Sequence, residues 1–454
     1  MYDHSENAAA DIAAHFHSFT NLAAHPEVGP LVITKGDGVF VEDDKGNRYI
    51  EAVSALWCAS LGFSNERLAN AGIEALRGLP YYHTFTGRSN PAAIALANKL
   101  LSIAPVPMSK VFFANSGSEA NDSAVKMIWY YHNAIGKPEK KKIIARLNAY
   151  HGVTVASASL SGLVTNHRDF DLPIDNILHV DCPHHFRYAE PGESEEDFAT
   201  RLADNLEKRI LAEGPDTVAA FFAEPVMGAG GVLTPPATYF EKIQKVLAKY
   251  DVLLVADEVV CGYGRTGEMF GSTTYGMKPD ILTTAKGLSS GYAPISAVMV
   301  SEKVYAPIAR NSGTIGTFGH GFTYSGHPVS CAIALETLKI YEEDNVVGHV
   351  QSLMPQFWKA LRSYEGRKYV GEVRGVGLVA AIELYADPKN RTSFDPSVKA
   401  GARLVEIGLA QGLIVRALGD TIVFCPPLII TAEELDELFA RFERTMAIFE
   451  ETIG

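Results

Sequence analysis

The chain has 454 residues, of which 47% are hydrophobic and 20% charged, enough apolar material for a sizeable core and too much for a disordered chain. Its net charge of −13, from 40 Lys+Arg against 53 Asp+Glu, argues against a nucleic-acid backbone or an anionic membrane as the main partner. The five cysteines, Cys58, Cys182, Cys261, Cys331 and Cys425, are scattered and odd in number, and read as reduced thiols in a cytoplasmic protein.

Residues 1–6 are polar and acidic, without a positive region, and the alanine-rich stretch that follows is broken by Asp11, so no secretory signal is expected. No unbroken apolar run is long enough to span a bilayer. Residues 31–49 read as short strands turned near Gly36 and Gly38 and again at 43–46. Apolar runs at 111–114, 142–146, 218–223, 252–256, 281–285 and 295–300 then alternate with helical patterns. Such runs, apolar on both faces, predict an α/β fold whose mostly parallel sheet is covered by helices on two sides. Residues 331–341 begin a new helical pattern, and 412–417 and 421–425 flank Leu418-Gly419-Asp420 as a hairpin. The patterning divides the chain into an N-terminal segment, 1–64, a large central domain, 65–330, and a C-terminal segment, 331–454. The two ends are expected to pack together as a smaller α+β domain.

Functional residue types recur where the core strands end, the edge at which open α/β sheets bind ligands. Lys286 follows one buried run and Asp257 ends another. A lone lysine reads first as a snorkelling surface residue. Paired in matching strand-end contexts, these two are the groups that pyridoxal phosphate requires: an amine for a Schiff base and a carboxylate for the pyridinium nitrogen. After 111–114 comes Asn115-Ser116-Gly117-Ser118-Glu119, with capping-box spacing between Ser116 and Glu119. A Ser/Gly turn opening a helix suits a phosphate, although a plain N-cap has the same sequence. Tyr150-His151-Gly152 follows 142–146 and offers an aromatic for a flat ring, or a packed tyrosine. Glu224-Pro225 follows 218–223 and needs a partner that the sequence does not assign.

Residues 115–122 (NSGSEAND), Tyr150-His151-Gly152, Glu224-Pro225, Asp257-Glu258, Lys286-Gly287 and Gly321-Phe322-Thr323 occur in this order. Together they resemble the class III, fold-type I aminotransferases over nearly the whole chain. Within that class, Leu56-Trp57, Phe85, residues 224–231 (EPVMGAGG) and Val415-Arg416 are similar to the bacterial ω-amine:pyruvate transaminases. The resemblance implies pyridoxal 5'-phosphate as cofactor and a homodimer with sites at the subunit interface. It implies that Gly117 and Ser118 hold the phosphate, that Tyr150 and Val259 pack on the two ring faces, and that Thr323 reaches the neighbouring subunit's phosphate. Ser116, His151, Glu224 and Phe322 belong to the same implied cofactor set. Phe19, Leu56, Trp57, Phe85, Tyr150 and Arg416 are implied to line the substrate pocket.

The reading that follows is an aminotransferase in which Lys286 and Asp257 are catalytic and the amino group passes from an amine or ω-amino acid to pyruvate or another small keto acid. Arg416 can meet the acceptor's carboxylate through a bidentate pair; the alternative is a strand-end arginine in a surface ion pair. A class III racemase or decarboxylase, and a non-catalytic small-molecule binder of the same fold, are the competing readings. Residues 262–267 fit the dinucleotide fingerprint GxGxxG, but residues 268–276 have no helical period to receive a pyrophosphate. Gly375-Val376-Gly377 precedes a strand instead of following one. Cys182-Pro183-His184-His185 lacks a second ligand pair, and no metal is expected. His320 and His327 read as loop residues, and Ser118 has no G-x-S-x-G elbow around it.

Overall fold

A computed structural model describes residues 4–453; Met1 to Asp3, which begin the polar N-terminal stretch, and Gly454 lie outside the described residues. Strands β1 (Ile33–Asp37), β2 (Phe40–Asp43) and β3 (Arg48–Glu51) form an antiparallel meander. Its first turn needs Gly38 (φ +54°) and its second Gly46 (φ +83°), a backbone region that glycine enters freely.

The central sheet comprises β4 (Lys110–Ala114), β5 (Lys142–Arg146), β6 (Ile177–Val180), β7 (Val218–Ala223), β8 (Leu253–Asp257), β9 (Ile281–Thr284) and β10 (Ser296–Val300). They lie in the order β4-β10-β9-β8-β7-β5-β6. Strands β6, β5, β7, β8 and β9 pair in parallel, and β10 runs antiparallel to both β9 and β4. Only β10 is therefore reversed, and β4, β5, β7, β8 and β9 all open on one edge with their carboxyl ends. Strand β6 has no counterpart in the sequence reading, because its four residues include a histidine and give no long apolar run.

Side chains alternate between two cores. Leu253 and Val255 face a cluster with Ala120, Val125 and Ile128 from helix Gly117–Ala134 and Val304 and Ile308 from helix Glu302–Ile315. Leu254 and Ala256 face the other cluster, with Phe198, Leu202 and Leu206 from helix Glu195–Glu213 and Ile243 and Leu247 from helix Tyr239–Lys249. A sheet buried on both faces has no solvated side to shape its sequence, which is why these strands read as continuous apolar runs.

The chain ends meet through backbone pairing. Strands β11 (Val370–Val376), β12 (Val379–Leu384), β14 (Arg416–Leu418) and β15 (Thr421–Phe424) form a sheet in the order β11-β12-β15-β14. The hairpin turns at Gly419 (φ +62°). Its first limb is shorter than the sequence suggests, because β13 (Leu413–Ile414) leaves it to pair in parallel with β3. Arg416 thus begins two residues after a strand that lies beside Glu51.

Candidate active site

Strand β4 ends at Ala114, and Ser116 starts helix Gly117–Ala134. The Ser116 hydroxyl accepts from the Glu119 N–H at 3.2 Å. The other half of the expected capping box closes elsewhere: the Glu119 carboxylate accepts from the backbone and side-chain nitrogens of Asn115, at 2.7 and 2.9 Å. The Gly117 and Ser118 N–H groups lie in the first turn, where no intrahelical acceptor exists. A Cβ on Gly117 would come within 3.1 Å of Val259, and one on Gly152 (φ +129°) within 2.4 Å of Ser118 Oγ. An eighteen-residue helix with free first-turn donors and glycine clearance is suited to a phosphate.

Gly117, Ser118, Tyr150, His151, Glu224, Asp257, Val259 and Lys286 line one cavity of about 150 Å³. Asp257 is buried at the end of β8. His151 Nδ1 and Asn121 Nδ2 each stand 2.8 Å from its Oδ2, and the Val259 N–H donates to Oδ1 at 3.0 Å. Asn121 is itself fixed: it donates to the His151 carbonyl at 2.7 Å and accepts from Thr283 Oγ1 at 2.8 Å. A carboxylate oriented by three donors beside a cavity suits a pyridinium nitrogen. Glu224 finds the partners that the sequence could not assign. Its carboxylate accepts from the Tyr150 N–H at 3.1 Å and the Gly228 N–H at 3.0 Å, which sets the backbone under the Tyr150 ring. Burial pushes the Glu224 carboxyl above its usual range, against the opposing pull of His151. Burial likewise raises the Tyr150 phenol, against the pull of Arg416.

Lys286 opens a short 3₁₀ turn, Lys286–Leu288, at φ +45°. A non-glycine residue held there stores on the order of 1–3 kcal/mol, so its surroundings must hold it. The Tyr341 hydroxyl donates to the Gly287 carbonyl at 2.7 Å, and Thr284 donates to the Tyr263 hydroxyl at 2.8 Å. The Tyr263 and Tyr341 rings lie parallel, 6.0 Å apart. Tyr263 comes from the glycine-rich stretch 262–267, which forms a turn followed only by the four-residue helix Gly271–Thr274. The Lys286 amine makes no hydrogen bond or ion pair among the described residues.

Trp57 stands at φ +64° in a turn where Ser54 (φ +49°) and Ala55 (φ +58°) are also left-handed. Local and long-range contacts together hold this turn. The buried Glu51 carboxylate accepts from the Val53 N–H at 2.8 Å. Ser54 donates to the Cys425 carbonyl at 2.7 Å. Buried Arg265 donates to Ser54 Oγ at 3.3 Å and to the Pro426 carbonyl at 2.5 Å. Trp57 is buried against Val226 and Val232, while Leu56 is exposed. Arg416 is half-buried; burial lowers its pKa, and the nearby Tyr150 phenol counters that. Among the described residues its guanidinium has no hydrogen bond or ion pair, so the surface ion-pair reading has no counterpart.

The remaining expected residues are not among those that line the Lys286 cavity. Phe85 lines a second cavity of about 840 Å³ beside Phe318 and Gly321. Phe322 packs edge-on against Phe112 and His320. Thr323 is exposed, and its carbonyl accepts from Tyr81 at 2.9 Å. Phe19 is exposed at φ +49°. Asn121, Glu51 and Arg265 were not singled out from sequence; the first lies in a helical pattern, Glu51 acts on a backbone N–H two residues on, and Arg265 acts across long separations.

A helix-terminus phosphate cradle, an oriented carboxylate and an unpaired amine, all on one strand edge, define a pyridoxal-phosphate enzyme of fold type I. The sequence matches the family Aminotransferase class-III over residues 22–446, and the chain belongs to that family of pyridoxal-phosphate-dependent, amino-group-transferring enzymes. Over 421 residues it is 51% identical to gamma aminobutyrate transaminase 3, chloroplastic, of Solanum lycopersicum, covering 92% of this chain and 81% of the relative. The omega transaminase of Pseudomonas jessenii in complex with PMP is 52% identical, with a TM-score of 0.98 over 99% of each chain. A thermostable omega transaminase variant engineered for asymmetric synthesis of enantiopure bulky amines is 51% identical, with a TM-score of 0.98 over 99% of this chain and 100% of that one; it carries substitutions at a tryptophan, a phenylalanine and an arginine.

Proposed function

We propose that this aminotransferase takes its amino group from an apolar amine or an ω-amino acid and delivers it to pyruvate or another small keto acid, in two half-reactions at one site. The observation that carries the reading is Arg416, a half-buried guanidinium without a counter-ion among the described residues, at the entrance that Tyr150 shares. A carboxylate-bearing acceptor supplies that counter-ion, and an apolar donor fits the Trp57 side of the same entrance.

Pyridoxal phosphate, when bound, supplies the aldehyde that takes the amino group and the ring that accepts the electron pair. Gly117 and Ser118 would hold its phosphate, Tyr150 and Val259 would cover the ring, and Asp257 would meet its nitrogen. Lys286 Nζ would anchor the group and would move the proton at the substrate carbon, a positioned transfer typically worth about 10²–10⁴-fold. His151 and Asn121 act through Asp257, and Glu224 acts through Tyr150.

We further infer a homodimer whose sites lie at the interface. Its support is that Phe85, Phe322 and Thr323 are not among the residues that line the Lys286 cavity, together with an exposed aromatic group, Tyr81, Tyr82 and Tyr324. The tryptophan, phenylalanine and arginine replaced in the engineered relative are each numbered one above Trp57, Phe85 and Arg416, which supports their assignment to the substrate pocket. The name of the tomato relative supports an ω-amino acid as one donor class. Five cysteines without a disulfide support a reducing, cytoplasmic location. A panel of apolar amines and ω-amino acids, run with pyruvate and with 2-oxoglutarate, tests the reading. Apolar amines with pyruvate are expected to give the highest kcat/KM; turnover with 2-oxoglutarate alone would overturn the acceptor.

A further inference from the structure

Near the N-terminus, three imidazoles converge on one carboxylate. Helix Glu6–Ala14 carries Asp11, the chain leaves it through His15 and His17, and His25 begins the next helix, His25–Val28. His15 Nδ1 lies 3.0 Å from one Asp11 oxygen. His17 Nε2 and His25 Nε2 lie 2.6 and 3.4 Å from the other. The His17 ring centroid is 4.3 Å from those of both His15 and His25. The ligand atoms of Asp11, His15 and His17 all lie within 4.8 Å of one another.

We propose that Asp11, His15, His17 and His25 form a site for a divalent transition ion of the zinc class. Three neutral imidazoles and a carboxylate are the donor set that such ions prefer, whereas magnesium and calcium favour oxygen ligands. With metal–nitrogen bonds of about 2.0–2.1 Å, tetrahedral ligands stand ~3.3 Å apart. The contacts to Asp11, at 3.0, 2.6 and 3.4 Å, need shifts of up to about 0.7 Å to meet that spacing, and His25, outside the 4.8 Å group of the other three, must also draw in toward His15 and His17. The side chains retain between 10% and 63% of their exposure, so an ion can enter from solvent. A second convergence, of His184, Glu372 and Glu383, is different in kind. There Arg374 and Arg187 already neutralise the carboxylates. On Asp11 the converging groups are imidazoles, which are ligands when neutral. A bound ion would staple the first two helices across the loop 15–24, which carries Phe19.

The test uses the full-length holoenzyme, dialysed against a chelator and then titrated with Co²⁺ alone. The expected result is one Co²⁺ per chain with the intense visible bands of a tetrahedral site, displaced by one equivalent of Zn²⁺. His17→Ala should weaken binding by more than about 100-fold while the circular dichroism stays native. His25→Ala is the second variant and should weaken it in the same direction. No stoichiometric ion at micromolar concentrations, or equal binding by wild type and both variants, would overturn the site.

Discussion

Arg416 carries a charge that no described residue answers, and that makes it the residue whose replacement separates the two substrates. Arg416→Ala should remove a charge-assisted pair with pyruvate, on the order of 2–4 kcal/mol, or roughly 30- to 1000-fold in the acceptor half-reaction's kcat/KM. An apolar donor such as 1-phenylethylamine makes no such pair and should change by less than about tenfold. Stopped-flow measurement of each half-reaction checks both numbers; equal losses would mean that Arg416 acts on the fold or on cofactor geometry. Lys286→Ala should fold normally and lose the proton transfer, a fall of at least about 10²–10⁴-fold in single turnover with the amine. Asp257→Asn should retain the cofactor and slow the same step, and a wild-type single-turnover rate would remove Asp257 from the chemistry. Lys286 and Asp257 were legible because a functional residue after a buried strand has few structural reasons to be there. Asn121 was not, because a polar residue in the second turn of a helix ordinarily faces water; here it reaches back to Asp257.

The element that carries Trp57 is strained, held by the remote Cys425 and Arg265 and by the neighbouring Glu51. Burial pushes the Glu51 carboxyl from its ordinary 4.5 up to about 7. Between those values the folded chain keeps a proton that the unfolded chain releases, so Glu51 leaves stability intact below about pH 4.5 and lowers it progressively up to about pH 7. The loss is on the order of 3 kcal/mol at 1.36 kcal/mol per pKa unit. Glu51→Gln removes it, so the stability of the variant relative to wild type should rise across this window by that order. Glu258, also pushed up to about 7, has the same sign in both proteins and cancels from the difference. Thermal unfolding of both holoenzymes from pH 4.5 to 7.5 checks this; parallel curves would mean that Glu51 does not ionise in that window. The sequence predicted the core strands because they are apolar on both faces. It missed β6, and it could not assign Glu51, a buried carboxylate that caps a backbone N–H two residues on, or Arg265, whose contacts span the molecule. The reversed direction of β10 was hidden as well, because a buried strand reads alike in either sense.

At the scale of the whole molecule, the two chain ends share the sheet β1-β2-β3-β13, and that pairing sets the segment leading into the Trp57 turn beside the one leading into Arg416. Nothing in the pattern around 413–414 marks the two residues that make the switch. The dimer reading has its own test. Lys286→Ala and Thr323→Arg should each be inactive alone, yet mixed dimers should recover about a quarter of wild-type activity by random two-fold pairing, because one site regains both residues. No recovery would make each site self-contained. Amino transfer between an apolar amine and pyruvate through Lys286 can be counted in a single experiment. Purified holoenzyme is given 1-phenylethylamine with no acceptor, the acetophenone is counted, and pyruvate is then added. We expect one equivalent of ketone per chain, after which release stops, and renewed ketone release when pyruvate arrives, with one alanine formed for each further ketone. Continuous product formation without a keto acid, or no ketone at all, would contradict it.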